Sequence, residues 1–92
     1  MHTYTSEYNK QINKFREGIK LVRKRHGNFF DNMINGRSIY DLKDINSYFE
    51  VRVAMGQTVL EFRPNSGLPD KIRDEISTHF YSVWPNTVEA NN

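Results

Sequence analysis

The sequence predicts an α+β domain in which a small antiparallel sheet packs against a long N-terminal helix and a C-terminal helix. Apolar residues recur every three or four positions before residue 26 and again after Pro69, as they do along one face of a helix. Between these stretches, residues 48–63 alternate between apolar and polar around a glycine, which is typical of a hairpin. The 92 residues suit one domain, so we assign 1–92 to a single unit with loose termini at 1–5 and 86–92.

The first helix is predicted from a stripe of five apolar side chains. These are Tyr8, Ile12, Phe15, Ile19 and Val22, at spacings that place all of them on one face. Ser6 stands just before the stripe, in the position of an N-cap, and the pattern continues as far as His26. Gly27 and Asn28 interrupt it, so we expect a break near Gly27 followed by a short second helical piece.

Residues 37–45 fit two structures. Ile39, Leu42 and Ile45 lie three apart, and Ser38 with Asp41 resembles a capping box, which suits a short helix. The β-branched and aromatic pair Ile39-Tyr40 instead suits an edge strand, and we favour a third strand near 38–45. Asn35-Gly36 predicts a turn ahead of it.

The hairpin is predicted over 48–63, with Gly56-Gln57 as a two-residue turn. That turn sets a register in which Val53 faces Leu60 and Val51 faces Phe62 on the core side. On the outer side, Arg52 faces Glu61 and Glu50 faces Arg63, so that both pairs join opposite charges.

The last helix is predicted to begin with Pro69 in its first turn, where the fixed φ of proline is compatible with a helix. Ile72, Ile76 and Phe80 form its apolar stripe, which Val83 or Trp84 extends, and Pro85 ends the element.

Charge is distributed unevenly along the chain. From Ser6 to His26 there are seven cations and two anions, a net charge of +5, whereas the other residues carry six cations and nine anions, a net charge of −3. Such a concentration of positive charge on one predicted helix indicates an anionic partner, and the phosphates of nucleic acids are the first class to consider. A solvated helix face with no partner is the alternative.

The candidate binding residues follow from this helix. Leu21 lies among the cations and out of line with the apolar stripe, so it is a candidate for a contact with protein. The predicted partner-binding or nucleic-acid-binding set is Lys10, Lys14, Arg16, Lys20, Leu21, Arg23, Lys24 and Arg25.

Catalytic, metal and cofactor sites are not predicted. The chain has no cysteine, no glycine-rich phosphate loop and no histidine pair at metal-ligand spacing, and a catalytic pairing of His26 with His79 has no support from spacing. A sheet that stacks RNA bases is disfavoured because its predicted outer face bears Tyr48 and four charged residues that neutralise one another. The element order resembles double-stranded-RNA-binding domains, but the acidic start of the last helix, with Asp70 and Asp74, is unlike their lysine-rich motif.

At the level of class, the chain resembles small proteins of phages and mobile elements such as anti-CRISPR proteins. The likeness lies in its compactness, its ten asparagines, its lack of cysteine, its one small sheet and its concentrated charge. The resemblance implies a non-enzymatic inhibitor that docks on a nucleic-acid-handling ribonucleoprotein complex. The alternatives are a small regulator that binds DNA or RNA directly, and a homodimeric antitoxin-like module that associates through Phe29–Met33 or Trp84.

The expected location is the cytoplasm, which would be that of the host cell for a phage-encoded protein. The N-terminal residues lack the pattern of a signal peptide, and no stretch of the sequence is apolar enough to enter a membrane. The oligomeric state is left open.

Overall fold

The computed structural model describes residues 3–85 and confirms the predicted α+β arrangement. Its elements in chain order are α1 (Thr3–Arg25), α2 (Gly27–Asp31), a 3₁₀-helix (Ile45–Tyr48), β1 (Phe49–Ala54), β2 (Gln57–Phe62) and α3 (Asp70–Val83). Of the predicted loose termini, residues 86–92 lie outside the described part, whereas Thr3 to Thr5 belong to α1.

The first helix starts earlier than predicted and breaks where predicted. It begins at Thr3, so the assignment of Ser6 as the N-cap is wrong. Serine and threonine disfavour a helix only slightly, and the helix therefore extends by about one turn before the apolar stripe starts. His26 leaves the helical conformation at φ −108° and ψ 34°, and α2 follows from Gly27, which confirms the predicted break.

The core lies between α1, α3 and the inner face of the hairpin. Phe15, Ile19 and Val22 of α1 are buried against Ile72, Ile76 and Phe80 of α3, as both stripes predicted. Phe15 makes edge-on contacts with the rings of Phe49 and Phe80, while Trp84 packs on Tyr8, Phe15 and Phe80. The Trp84 indole N–H also donates to the Gln11 side-chain oxygen at 3.0 Å, so the end of α3 is fastened to the start of α1.

The predicted third strand near 38–45 is wrong, because this segment forms its hydrogen bonds locally. The side chains of Asn35, Ser38, Asp41 and Asp44 accept from the backbone N–H groups of Leu42, Tyr40, Lys43 and Asn46 at 2.7–3.1 Å. Short polar side chains that bind nearby backbone groups in this way compete with strand pairing. The described sheet therefore has two strands.

Tyr48 is completely buried, so the prediction that it lies on the outer face of the sheet is wrong. Its hydroxyl donates to the backbone oxygen of Leu42 at 2.7 Å, and the rings of Phe29 and Phe30 pack against its own. Burial raises the pKa of the Tyr48 phenol above its ordinary value of 10.0, so the group remains a hydrogen-bond donor.

The hairpin forms, but its turn and register differ from the prediction. The two central residues of the turn are Met55 and Gly56, at φ +53° and +80°, instead of Gly56 and Gln57. Two residues with positive φ give a turn whose twist matches that of the strands. Partners therefore shift by two positions, so that Val51 faces Leu60, Arg52 faces Val59 and Glu50 faces Glu61.

This register keeps one of the two predicted ion pairs. Arg52 still reaches Glu61, now its diagonal neighbour, at 3.2 Å. Arg63 does not pair with Glu50; its guanidinium lies 3.8 Å over the ring of Tyr40, and its Nε donates to the backbone oxygen of Ser47 at 2.9 Å.

The close contact of α1 with α3 leads to a first prediction. A Cβ added at Gly18 would lie 2.5 Å from Nδ1 and 2.8 Å from Cγ of His79, whereas at Gly27 its nearest neighbour would be an Asp31 oxygen at 3.6 Å. We expect Gly18→Ala to cost about 1–3 kcal/mol by overpacking. Gly27→Ala should be neutral or stabilising by up to about 1 kcal/mol, since alanine favours a helix. Thermal unfolding of both variants tests this, and equal melting temperatures would contradict it.

Candidate partner-docking surface on the first helix

The eight predicted binding residues all lie on α1, outside its apolar stripe. Because successive residues are about 100° apart around a helix, the stripe leaves a wide arc for them. Arg23 is half-buried, and the other seven, including Leu21, are exposed. Exposure alone does not make them available to a partner, since several are engaged by anions of the same chain.

Arg23 lies near the junction of α1 and α2, and its guanidinium is already bound by groups of the same chain. Its Nη2 donates to Asp31 Oδ1 at 2.8 Å, its Nε donates to the backbone oxygen of Lys43 at 3.1 Å, and its guanidinium lies 5.0 Å from the centre of the Phe30 ring. Asp31 and Phe30 belong to α2, and Lys43 lies in the loop before the 3₁₀-helix. Arg23 is therefore positioned to order the 27–48 region more than to bind a partner.

Arg25 and His26 share one carboxylate on α3. Arg25 Nη1 lies 2.8 Å from Oε1 of Glu75, and His26 Nε2 lies 3.0 Å from its Oε2. The hydrogen bond from His26 is the largest cause that lowers the pKa of Glu75 below its ordinary value of 4.5, and Arg25 lowers it further. Two of the three residues in the predicted Arg23-Lys24-Arg25 cluster are thus paired with anions of the same chain, and His26 beside them binds one of those anions.

We expect Glu75→Gln to weaken the fold in a pH-dependent way. A carboxyl whose pKa is lowered by folding contributes stability that is present above its ordinary pKa and lost as pH falls through its folded pKa. The variant should therefore be less stable than the wild type at neutral pH, and the difference should shrink below about pH 4.5, the ordinary value.

Urea denaturation at pH values above and below 4.5 measures the difference in unfolding free energy between the variant and the wild type. Glu17→Gln is the control, because Glu17 pairs with Lys20 at 3.3 Å with both side chains largely exposed, an arrangement of little energetic value. A Glu75→Gln deficit that stays the same at every pH would contradict the assignment.

Four of the predicted cations have no anionic partner among residues 3–85. They are Lys10, Lys14, Arg16 and Lys24. Arg16 lies on the flank of α1 that faces the hairpin, where it lines a groove with Phe49 and Val51. The structure thus separates it from the three lysines.

Lys10, Lys14 and Lys24 surround Leu21 on the side of α1 that points away from the core. We call these four residues the outer face of α1. By helical geometry they cover about 80° of arc and about 21 Å along the axis, and Glu17, which pairs with Lys20, lies within the same arc. Leu21 is 58% exposed. The outer face can offer three ammonium groups to phosphates or carboxylates, with an apolar side chain among them.

His26 and His79 lie at the interface between α1 and α3. His26 binds Glu75, whereas His79 packs against Gly18. Within residues 3–85, no hydrogen bond joins the rings of His26 and His79. In the described part of the chain, no three histidine or acidic side chains are grouped closely enough to hold a metal ion.

Sequence reasoning missed Asp31 and Glu75, the anions that engage Arg23 and Arg25. Each pair joins residues from different helices, eight and fifty positions apart in the chain. No local spacing could have identified them, because α2 and α3 bring the anions to α1 only in the folded protein.

Comparison with protein-family models, with curated protein sequences and with solved structures finds no match. Among the helices of residues 3–85, none combines the length and the apolar character that crossing a membrane requires.

Proposed function

We propose that the protein is a non-enzymatic binding protein that docks through the outer face of α1 on a nucleic-acid-handling complex, as an inhibitor or accessory factor. The observation that carries the proposal is the arrangement of Lys10, Lys14 and Lys24 around exposed Leu21, with no anion from residues 3–85 engaging the lysines. Like charges crowded on one helix destabilise it, and an anionic partner relieves that cost.

A nucleoprotein suits this surface better than naked nucleic acid. The lysines can bind phosphates, while an exposed leucine gains free energy only where a partner covers it with apolar atoms. The class-level resemblance to anti-CRISPR proteins supports the same choice, and a protein of that class would act in the cytoplasm of a host cell. In this proposal the protein forms a stoichiometric complex that survives moderate salt, because apolar contacts share the binding.

Direct binding of DNA or RNA is the second candidate, and the same lysines favour it. It differs in its salt dependence, because affinity for free nucleic acid should fall with a log–log slope of about −0.7 to −0.9 per phosphate contact. Self-association through Phe29–Met33 or Trp84 has less support, since Phe30 and Trp84 are buried in the core.

We expect Lys14→Glu/Lys24→Glu to abolish capture of the partner complex. Tagged protein is used as bait in a lysate of the native host, and half of each sample is treated with nuclease. The matched control is Arg37→Glu/Lys71→Glu, which makes the same change in net charge at exposed residues away from α1. Wild type and control should retain the same complex, and the α1 variant should lose it.

The nuclease-treated half separates the two candidates. A complex that persists after nuclease treatment supports docking on protein, whereas one that disappears supports direct binding of nucleic acid. Equal capture by wild type and the α1 variant would show that the outer face is a solvated surface, and both candidates would then fail.

A further inference from the structure

The outer edge of β1 is open. The backbone N–H of Arg63 donates to Tyr48 O at 2.9 Å, which makes Tyr48 and Arg63 a hydrogen-bonded pair. Such pairs alternate along antiparallel strands, so Glu50, Arg52 and Ala54 also bind β2. The backbone groups at 49, 51 and 53 point the other way, and within residues 3–85 they have no hydrogen-bond partner.

A groove runs along this edge, between β1 and the flank of α1. Ile12, Phe49 and Val51 supply apolar surface, and Asn13, Arg16 and Asn46 supply polar groups at its rim. Its volume is about 560 Å³. A second depression, lined by Lys20, Lys43 and Arg23, adjoins it at Arg16 and Asn46, and we treat the two together as one groove. From Tyr8 to Arg23 the groove is about 22 Å long, the length of six or seven extended residues.

The rim of the groove is positively charged. Arg16, Lys20 and Lys43 are exposed along it, although Lys20 also pairs with Glu17 and Lys43 Nζ donates to the backbone oxygen of Asp31. The acidic residue of the rim, Asp44, accepts hydrogen bonds from the backbone and side chain of Asn46. Arg16 has no anionic partner among the described residues. The groove thus combines three features, which are unpaired main-chain donors and acceptors on β1, an apolar floor and a basic rim.

We propose that this groove binds an extended, acidic segment of a partner protein, which adds to β1 as a third strand. The backbone of the segment pairs with residues 49, 51 and 53, and every second side chain enters the apolar floor. Its acidic side chains reach Arg16 and Lys20. This surface goes beyond the proposed function, because it lies on a different flank of α1 from the lysines of the outer face.

The geometry favours a peptide strand over two other occupants. A second copy of the protein could add to this edge by pairing antiparallel through its own β1. The α1 of that copy would then overlap the α1 of the first copy, because each α1 lies beneath the edge of its own β1. A single-stranded nucleic acid has no row of backbone amides to pair with the open groups at 49, 51 and 53, and the rings of Tyr8 and Phe49 that line the groove are half-buried against the core.

The test uses a capped synthetic peptide of about seven residues that alternates glutamate and valine, a length set by the groove. NMR follows the amide hydrogen exchange of Val51 and Val53 on the full chain. We expect the peptide at saturation to slow both by about tenfold or more, while Arg52, already bonded to β2, is unchanged. Arg16→Glu should weaken peptide binding by about fivefold or more, and Lys71→Glu, on α3, should not.

Three further probes can overturn the proposal. They are the same peptide with alternate backbone amides methylated, a lysine–valine peptide, and an oligo-dT strand. The proposal fails if the acidic peptide leaves the exchange of Val51 and Val53 unchanged at millimolar concentration, or if any of the three probes slows it equally. Because no outer-face lysine takes part, this result is independent of the capture experiment on Lys14 and Lys24.

Discussion

Tyr48→Ala is expected to destabilise the protein by about 3–5 kcal/mol, since removal of a buried aromatic side chain leaves a cavity. Such a loss is a large part of the 5–15 kcal/mol that typically stabilises a domain. Tyr48 is completely buried, packs on Phe29 and Phe30, and fastens the 35–48 segment through its hydroxyl bond to Leu42. Chemical denaturation measures the change.

Two further substitutions separate the contributions of Tyr48. Tyr48→Phe keeps the ring and removes only the 2.7 Å hydrogen bond to Leu42, so it should cost about 1 kcal/mol. Tyr40→Ala, at the exposed ring beneath Arg63, should cost about 1 kcal/mol or less. If Tyr48→Ala were no more harmful than Tyr40→Ala, the placement of Tyr48 at the centre of this segment would be wrong.

Leu21→Asp is expected to weaken the partner complex by about tenfold to a hundredfold and to leave folding unchanged. The reason is the loss of about 1.5–3 kcal/mol of apolar burial in the complex, together with a carboxylate placed among phosphates or acidic groups. Because Leu21 is exposed in the free protein, the fold does not depend on it. Titration of the purified complex at two salt concentrations measures the effect.

The salt dependence distinguishes Leu21 from its neighbours. The Leu21→Asp loss should be largely retained at high salt, whereas the loss from Lys14→Glu/Lys24→Glu should shrink as salt screens the charges. Leu21→Ala serves as the control for the introduced charge. Unchanged affinity of both Leu21 variants would remove the argument for a protein surface and favour nucleic acid alone.

Helices and their core faces could be predicted from the sequence because their signals are local. Phe15, Ile19 and Val22, like Ile72 and Ile76, are buried where their spacing placed them. The position of the hairpin was predicted correctly, but its turn residues were not. The prediction started the turn at Gly56 because a non-glycine residue such as Met55 uncommonly adopts a positive φ.

The irregular segment 37–45 and the candidate site depend on contacts that spacing does not encode. The side-chain bonds of Asn35 and Asp41 replace the predicted strand. Likewise, Arg23 and Arg25 find Asp31 and Glu75 only once α2 and α3 pack on α1. Positive charge on α1 was therefore predictable, whereas the division into engaged and free cations was not.

The most direct test of the outer face as the docking surface is a lysine acetylation footprint of the free protein and of the captured complex, read by mass spectrometry. Lys10, Lys14 and Lys24 should react readily in the free protein and be protected in the complex. Lys71, exposed on α3, should react equally in both states. Protection of Lys71, with the three outer-face lysines still reactive in the complex, would contradict the proposed function.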